Sequence, residues 1–114
     1  NIESQMAAFS NLDELLELYP NAFNPQAAKG MDGVVQLDIS GEKGGTYFLK
    51  IIDQSLSIHE GTHEDPSVTI STTDEHWLDI HRGEANPMSL MMRGQLSIAG
   101  SMSMATKFQD MFDV

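Results

Sequence analysis

Apolar and polar residues alternate through the middle of the chain, and this alternation limits the fold more than any other feature of the sequence. A period of two is typical of strands with one buried and one solvated face. It predicts strands at Gly33–Ser40, Thr46–Ile52 and Ser55–Glu60, joined by a glycine-rich turn at Gly41–Gly45 and a tight reversal at Asp53–Gln54. The middle strand is apolar on both faces, which predicts a central position. Together these segments predict an antiparallel meander.

The sequence around this meander predicts two further strands and four helices. Their predicted bounds are strands Ser67–Ser71 and Gln95–Ala99, and helices from Ser10 to Pro20, after a capping box at Thr72–Glu75, from the Asn86 cap to Gly94, and after the Ser101 cap. The first helix carries an apolar stripe of Leu12, Leu15, Leu16 and Tyr19. The order of elements predicts an α+β fold, with a five-stranded, mostly antiparallel sheet covered by helices on one face.

The composition excludes several classes of function. The chain has 114 residues, a length that suits one domain, and it contains no cysteine, so thiolate catalysis and cysteine-based zinc sites are excluded. Six Lys and Arg residues against seventeen Asp and Glu residues give a net charge of −11, which disfavours nucleic acid and anionic membranes as partners. No apolar run approaches the roughly 18 residues that span a bilayer, so we expect no stable membrane insertion.

One segment, His59–His63, spells the H-E-x-x-H signature of zinc proteases. That chemistry requires a helix, because only a helix brings both imidazoles to one metal. Here the strand alternation continues into His59, Gly61 disfavours a helix, and Pro66 follows closely. The segment is therefore interpreted as a strand end and loop, and no catalytic residue, metal site or cofactor is predicted. The two remaining histidines, His76 and His81, are interpreted as surface or helix-end residues.

Six of the eight methionines lie in the last third of the chain. On the predicted final helix, the positions i, i+4, i+7 and i+8 form one apolar stripe of Met104, Phe108, Met111 and Phe112. Methionine side chains are flexible and suit surfaces that adapt to varied apolar partners. Two interpretations stay open: these residues fill an irregular core, which the spacing alone favours, or they line a pocket for an apolar ligand. Trp77 has the same two interpretations, core residue or pocket wall.

Five segments, taken in order, resemble the sterol-carrier-protein-2 domain family over about Leu12 to Phe112. The segments are Val34–Ile39, Tyr47–Ile52 before Asp53, Asp65–Ile70 before a Ser/Thr-capped helix, Gly83–Met88 and Gly94–Gly100. The last one, Gly-x-Leu-x-Ile-x-Gly before an apolar helix, is the most specific. Two positions depart from the family pattern, because Gln95 replaces a common lysine and Ser101 replaces a common acidic residue. A head-group contact from a lysine at position 95 is therefore not available.

The resemblance implies a sheet covered by helices that enclose an apolar tunnel for one lipid, without catalytic residues or cofactors. The cavity-lining positions that it implies are Trp77, Ile80, Met88, Met91, Met92, Met104, Phe108, Met111 and Phe112. We expect residues 1–9 to form a loose arm and residues 10–114 to form a single lipid-binding domain. Release of the ligand is expected to need movement of the C-terminal helix.

Two functions from different classes follow from these predictions. The first is a non-catalytic carrier of a fatty acid, fatty acyl group, or sterol- or isoprenoid-like lipid. The second is an accessory or dimerisation module that presents such a substrate to a partner enzyme. The chain ends without the peroxisomal tripeptide of some relatives, so a cytoplasmic location in a prokaryote is expected.

Overall fold

Residues 9–112 are described by this computed structural model, and over them four helices and five strands follow the predicted order. Their bounds are α1 Leu12–Ala22, β1 Gly33–Ser40, β2 Gly45–Ile52, β3 Ser55–Glu60, β4 Val68–Thr73, α2 Asp74–His81, α3 Pro87–Met92, β5 Leu96–Gly100 and α4 Met102–Asp110. Residues 1–8 of the predicted loose arm lie outside the described residues, as do residues 113–114. Phe9, the last residue of that arm, is buried.

The five strands form one sheet in the order β3-β2-β1-β4-β5. The β1–β4 pair is parallel and the other three pairs are antiparallel, so the prediction of a mostly antiparallel sheet is confirmed. The second strand lies inside the sheet as predicted, because β2 is flanked by β3 and β1, and β1 is the middle strand of the five. The apolar residues on the outer face of β2 do not belong to the hydrophobic core. Phe48 stacks on His59, with ring centroids 4.9 Å apart, and Ile52 is 52% exposed at the strand end.

The reversal at Asp53 and Gln54 sets the register of the β2–β3 hairpin. Both residues have positive φ, 50° and 63°, which is the conformation of a two-residue type I′ turn. Such a turn matches the twist of the strands, and it places Ile52 opposite Ser55. The predicted hairpin is confirmed, and its register turns Leu49 and Ile51 toward the helices, where both are fully buried.

The helix starts follow the predicted caps with one exception. Asn86 Oδ1 accepts hydrogen bonds from the backbone N–H groups of Met88 and Ser89, and Ser101 Oγ accepts from that of Met104. The capping box predicted to begin at Thr72 is displaced by one residue. Strand β4 continues through Thr72, whose hydroxyl donates to the Gln95 carbonyl 2.9 Å away, so Thr73 caps α2 instead.

The first helix also ends later than predicted, at Ala22 instead of Pro20. A proline removes only its own N–H group from the helix, and the residues after it can still donate to earlier carbonyls. Pro20 is exposed, so its ring is tolerated near the last turn of the helix. The apolar stripe of α1 is confirmed, because Leu12, Leu15 and Tyr19 are fully buried and Leu16 is 8% exposed.

Candidate functional site

An apolar groove of about 270 Å³ lies between helices α2, α3 and α4 and the strands β4 and β5. Its lining consists of Ile70, Trp77, Ile80, Asn86, Pro87, Met88, Met91, Leu96, Ile98, Met102, Ala105, Thr106, Phe108 and Gln109. None of these fourteen side chains carries a charge at neutral pH. We refer to this space as the apolar groove.

The floor of the groove belongs to the sheet. Ile70 on β4 and Ile98 on β5 are direct partners in the antiparallel register, so both side chains point to the same face. Leu96, two residues before Ile98, points the same way and is 5% exposed. The alternation of apolar residues in the sequence is therefore the reason that this end of the sheet presents a continuous apolar floor.

The chain turns sharply from the floor into helix α4 at Gly100. Its φ is +106°, and a Cβ atom at this position would lie 2.5 Å from the carbonyl oxygen of Ser67. Only glycine has both the conformation and the space for this approach. Ser101 then donates its backbone N–H to the same carbonyl and caps α4 with its side chain. These contacts hold the N-terminal end of α4 against the start of β4.

Two aromatic residues form the wall between the groove and the hydrophobic core. Trp77 on α2 is 3% exposed and Phe108 on α4 is 2% exposed, and their ring centroids lie 6.0 Å apart. Both contact the buried core as well as the groove. Tyr19 of α1 packs edge-on against Phe108 from the core side, at 6.1 Å between centroids. The two interpretations of Trp77 are therefore not exclusive, because this residue is at once core and wall.

Behind this wall, the side chains of Tyr19, Trp77 and His81 form a closed chain of hydrogen bonds together with the backbone carbonyl of Trp77. The Trp77 carbonyl can only accept, so the Nδ1–H group of His81 donates to it across 2.8 Å. The Nε2 atom of His81 is then an acceptor, and the Tyr19 hydroxyl donates to it across 2.8 Å. The same hydroxyl accepts from Trp77 Nε1–H at 3.2 Å. Every polar atom in this chain is satisfied when His81 is neutral.

Burial acts on the ionisation of both titratable members of this chain. Desolvation lowers the pKa of His81 from 6.5 to about 4, although the hydrogen bond to the Trp77 backbone opposes the change. Burial also raises the pKa of the Tyr19 hydroxyl far above its ordinary value, against the hydrogen bond from Trp77. The interpretation of His81 as a helix-end residue is confirmed, because His81 is the last residue of α2, but its ring lies against α1 and burial keeps it neutral at pH 7.

A smaller cavity of about 200 Å³ adjoins the apolar groove. It is lined by Ile80, His81, Pro87, Phe108, Gln109 and Phe112. Four of these residues, Ile80, Pro87, Phe108 and Gln109, also line the groove. The two spaces therefore share the region between the end of α2 and the second half of α4.

The predicted cavity residues separate into three sets in the structure. Trp77, Ile80, Met88, Met91 and Phe108 line the groove. Phe112 lines only the smaller of these two cavities.

The remaining three residues are not part of either cavity. Met104 and Met111 are buried in the core at 3% and 0% exposure, and Met92 is 83% exposed. A helix turns by about 100° per residue, so its core stripe and a neighbouring groove face consist largely of different residues, and on α4 Ala105 and Phe108 lie where the two faces meet. The stripe at 104, 108 and 111 faces the core, and Gly33 leaves the space that Met104 fills.

Several residues of the groove were not predicted from the sequence. On α4 these are Met102, Ala105, Thr106 and Gln109, which occupy the face beside the core stripe; elsewhere they are Ile70, Asn86, Pro87, Leu96 and Ile98. The alternation of Ile70, Leu96 and Ile98 was a usable signal, because it predicts side chains that point inward. No comparable signal identifies the second face of α4.

The H-E-x-x-H segment is not helical. It forms the end of a strand and the loop that follows it. His59 and Glu60 end β3, and Gly61 follows with a φ of +112°. His63 donates its backbone N–H to the Oε1 atom of buried Gln36, which ties this loop to the outer face of the sheet. The predicted conformation is confirmed. Within residues 9–112, no three His, Asp or Glu side chains converge as metal ligands.

These features together define an α+β domain of the sterol-carrier type, with an apolar groove between its helices and one end of its sheet. The chain belongs to the SCP-2 sterol transfer family, whose sequence profile matches residues 12–113. Lipid binding and transfer are the general activity of this family, and its domains are generally non-catalytic carriers. The resemblance inferred from the sequence is therefore confirmed.

The chain is similar to parts of larger proteins and to small separate domains. It is 26% identical to hydroxysteroid dehydrogenase-like protein 2 of Bos taurus over 90% of this chain and 25% of that protein. Its fold resembles palmitated SCP2L2 of Aedes aegypti, with a TM-score of 0.67, 20% identity, and 89% and 93% of the two chains covered.

It also resembles the sec-alkylsulfatase Pisa1 of Pseudomonas sp., with a TM-score of 0.79, 16% identity, and 90% and 16% of the chains covered. The chain thus spans about a quarter of the curated relative and a smaller share of the sulfatase. Helices in the described part of the chain are all too short or too polar to cross a membrane.

Proposed function

We propose that this domain binds one hydrophobic ligand in the apolar groove and carries it without chemical change. The observation that supports the proposal best is the lining itself, which combines an aliphatic floor, an aromatic wall and a methionine rim around unfilled space. The groove volume of about 270 Å³ lies near the lower end of the roughly 300–1,000 Å³ of typical ligand sites. The ligand class is a fatty acid, fatty acyl group, or sterol- or isoprenoid-like lipid.

Transfer of an acyl chain into such a groove supplies enough free energy for useful binding. Each methylene group moved out of water contributes about 0.8 kcal/mol, so ten contribute roughly 8 kcal/mol before the costs of ordering. A methylene more or less changes the affinity by only about 1–3 kcal/mol, so we expect weak discrimination between chain lengths. The flexible methionines of the rim widen the range of ligands further.

The head group of the ligand is expected to stay near the solvent. The polar side chains of the lining are those of Asn86, Thr106 and Gln109, and all three residues are exposed. Asn86 already accepts two backbone hydrogen bonds as the cap of α3. Thr106 and Gln109 are therefore the groups that we expect to contact a head group.

We expect a helix to move when the ligand enters the groove fully, and burial favours α3 over the C-terminal helix as the one that moves. The described helix α3 has six residues, of which only Leu90 is buried. Helix α4 contributes Met104, Ala105 and Phe108 to the core, so its departure would expose the core to water. We therefore place the gate at α3, with Asn86 and Gly94 at its two ends.

An accessory role inside a larger assembly is the second candidate function. It is favoured by the length of the relatives, because this chain corresponds to a quarter or less of a dehydrogenase-like protein and of a sulfatase. In that role the groove would hold a lipid-like substrate for a partner enzyme or for another domain. Both candidates predict binding without catalysis by this domain, without a cofactor, and in the cytoplasm.

The proposal is tested by filling the groove with a larger side chain. Ile98→Trp places an indole on the floor, and we expect the affinity for a fluorescent fatty acid to fall at least about tenfold, or 1.4 kcal/mol. Ile52→Trp is the matched control, since Ile52 is 52% exposed at the end of β2. Its affinity should equal that of the wild type. Circular dichroism and urea unfolding establish that both variants are folded.

Wild-type protein that fails to bind any acyl probe would contradict the proposal. Unchanged affinity in a folded Ile98→Trp variant would contradict the assignment of the groove. Native mass spectrometry separates the two candidate functions. An added mass on the scale of one lipid favours the carrier, whereas an empty chain that associates with a partner favours the accessory role.

A further inference from the structure

Of the methionines that the structure describes, three form an exposed group, two form a buried group, and Met31 and Met91 are half-buried. Met88, Met92 and Met102 are 64%, 83% and 51% exposed, whereas Met104 and Met111 are 3% and 0% exposed. A soluble oxidant reaches the exposed thioethers directly and reaches the buried ones only when the core opens. The structure therefore predicts a strong difference in the rate of oxidation between the two groups.

Two of the exposed methionines belong to the apolar groove. Met88 lies in the first turn of α3 and Met102 is the first residue of α4, so the two line the groove from different helices. Met92 is the most exposed of the three and does not line the groove. Among the described residues, the exposed methionines thus comprise two groove residues and one residue outside the groove, and the half-buried Met91 also lines the groove.

We propose that Met88 and Met102 are oxidation sites through which a peroxide lowers the affinity of the domain for its lipid. In the reaction the thioether sulfur attacks one peroxide oxygen, the O–O bond breaks, and an S=O bond forms. The sulfur loses two electrons, and the departing hydroxide takes up the proton of the transferred hydroxyl group, so that hydrogen peroxide is reduced to water. The product, methionine sulfoxide, is reversible by methionine sulfoxide reductases. This inference rests on the proposed function, since it concerns the same groove.

The loss of affinity follows from the polarity of the product. A sulfoxide is a strong hydrogen-bond acceptor, and an apolar lipid chain offers it no donor. A ligand that displaces water from Met88 and Met102 would leave both sulfoxide oxygens without partners. We expect the affinity to fall at least about fivefold when both residues are oxidised. The buried methionines stay reduced under mild conditions, so the fold persists.

The experiment uses hydrogen peroxide and a fluorescent fatty acid. Wild type, Met88→Leu/Met102→Leu and Met92→Leu are treated under limited conditions, and peptide mass spectrometry counts the oxygen at each methionine. Affinity is compared with that of the same variant before treatment. Wild type and Met92→Leu should each lose at least about fivefold. The double variant should keep its own starting affinity, and a methionine sulfoxide reductase should restore the wild type.

Three results would overturn this inference. The first is an unchanged affinity in wild-type protein that carries oxygen at both Met88 and Met102. The second is an equal loss in the double variant. The third is oxidation of Met104 and Met111 at the same rate as the rim residues. Failure of the proposed function is distinguished from failure of this inference, because in that case the probe does not bind even before the oxidant is added.

Discussion

The two ends of this domain's sheet are packed in contrasting ways. Under α1, the interior is closed: Leu15, Leu37, Leu49 and Ile51 are all fully buried. Under α3 and the adjoining face of α4, the helices leave a groove, and Met88 at its rim is 64% exposed. The same sheet and the same chain therefore contain a packed core at one end and unfilled apolar space at the other.

The side chains chosen at each end correspond to this difference. Branched aliphatic and aromatic residues have few rotamers and specify one packing arrangement, so they suit the closed end. Methionine has three rotatable side-chain bonds and fills space of variable shape, so it suits the open end. The comparison teaches that the packed core and the groove proposed for binding are separated along the sheet, with Trp77 and Phe108 as the shared wall.

The largest predicted effect is at the closed end. Leu37→Ala removes a fully buried side chain from the central strand, and we expect the free energy of unfolding to fall by about 2–5 kcal/mol. The reason is the loss of buried apolar surface together with the cavity that remains. Urea unfolding measures the change. A loss below about 1 kcal/mol would indicate that the closed end can collapse around the deletion, which would remove the contrast with the groove.

A loss of stability of similar size is predicted when the pH is lowered, because His81 belongs to the hydrogen-bond chain behind the aromatic wall. The pKa of His81 is about 4 in the folded protein and 6.5 in the unfolded chain, so between these values only the unfolded chain takes up the proton. Stability is thus fully present above about pH 6.5, and it is lost as the pH falls toward 4, by up to about 3 kcal/mol. Urea unfolding at a series of pH values measures this slope.

Two variants isolate the contribution of this histidine. His81→Gln should have a shallower loss of stability between pH 6.5 and 4 than the wild type has. His59→Gln, on the exposed edge strand β3, controls for the removal of one imidazole. Equal slopes in the wild type and His81→Gln would show that the wall does not hold a neutral histidine.

The smallest effect on stability is predicted at the open end. Met88→Ala truncates a side chain that is mostly exposed, and we expect the free energy of unfolding to change by less than about 0.5 kcal/mol. The affinity for a fluorescent fatty acid should nevertheless fall measurably, because part of the apolar lining is removed. Urea unfolding and probe titration of one sample compare the two quantities. A large loss of stability would show that the rim is part of the core.

Much of the fold was predictable because its signals are local. The alternation of Val35, Leu37 and Ile39 predicted β1, and Asp53 with Gln54 predicted the hairpin turn. The caps at Asn86 and Ser101 needed only the side chain and the three residues after it. The order of elements and the family resemblance followed from these signals.

The candidate site was predictable only in part, because its lining depends on the rotation of helices. Met104 and Met102 differ by two positions, and one is buried in the core while the other lines the groove. Both belong to the amphipathic helix α4, and the spacing of its apolar residues identifies only the most buried face of the helix. The burial of His81 had no sequence signal either, because it depends on Tyr19, which is 62 residues away.

The sequence by itself determined the order of the elements, the caps of α3 and α4, the turns, and the face of each strand that is buried, since these depend on residues within a few positions of one another. Only the tertiary structure decided that β1 lies at the centre, that His81 is hydrogen-bonded to Tyr19 of α1, and that Met104 and Met111 pack in the core while Met88, Met92 and Met102 stay exposed. The physical reason is that burial depends on which element arrives on the other side. A methionine has the same chemistry in a core and at the rim of a groove, and its partners decide between them.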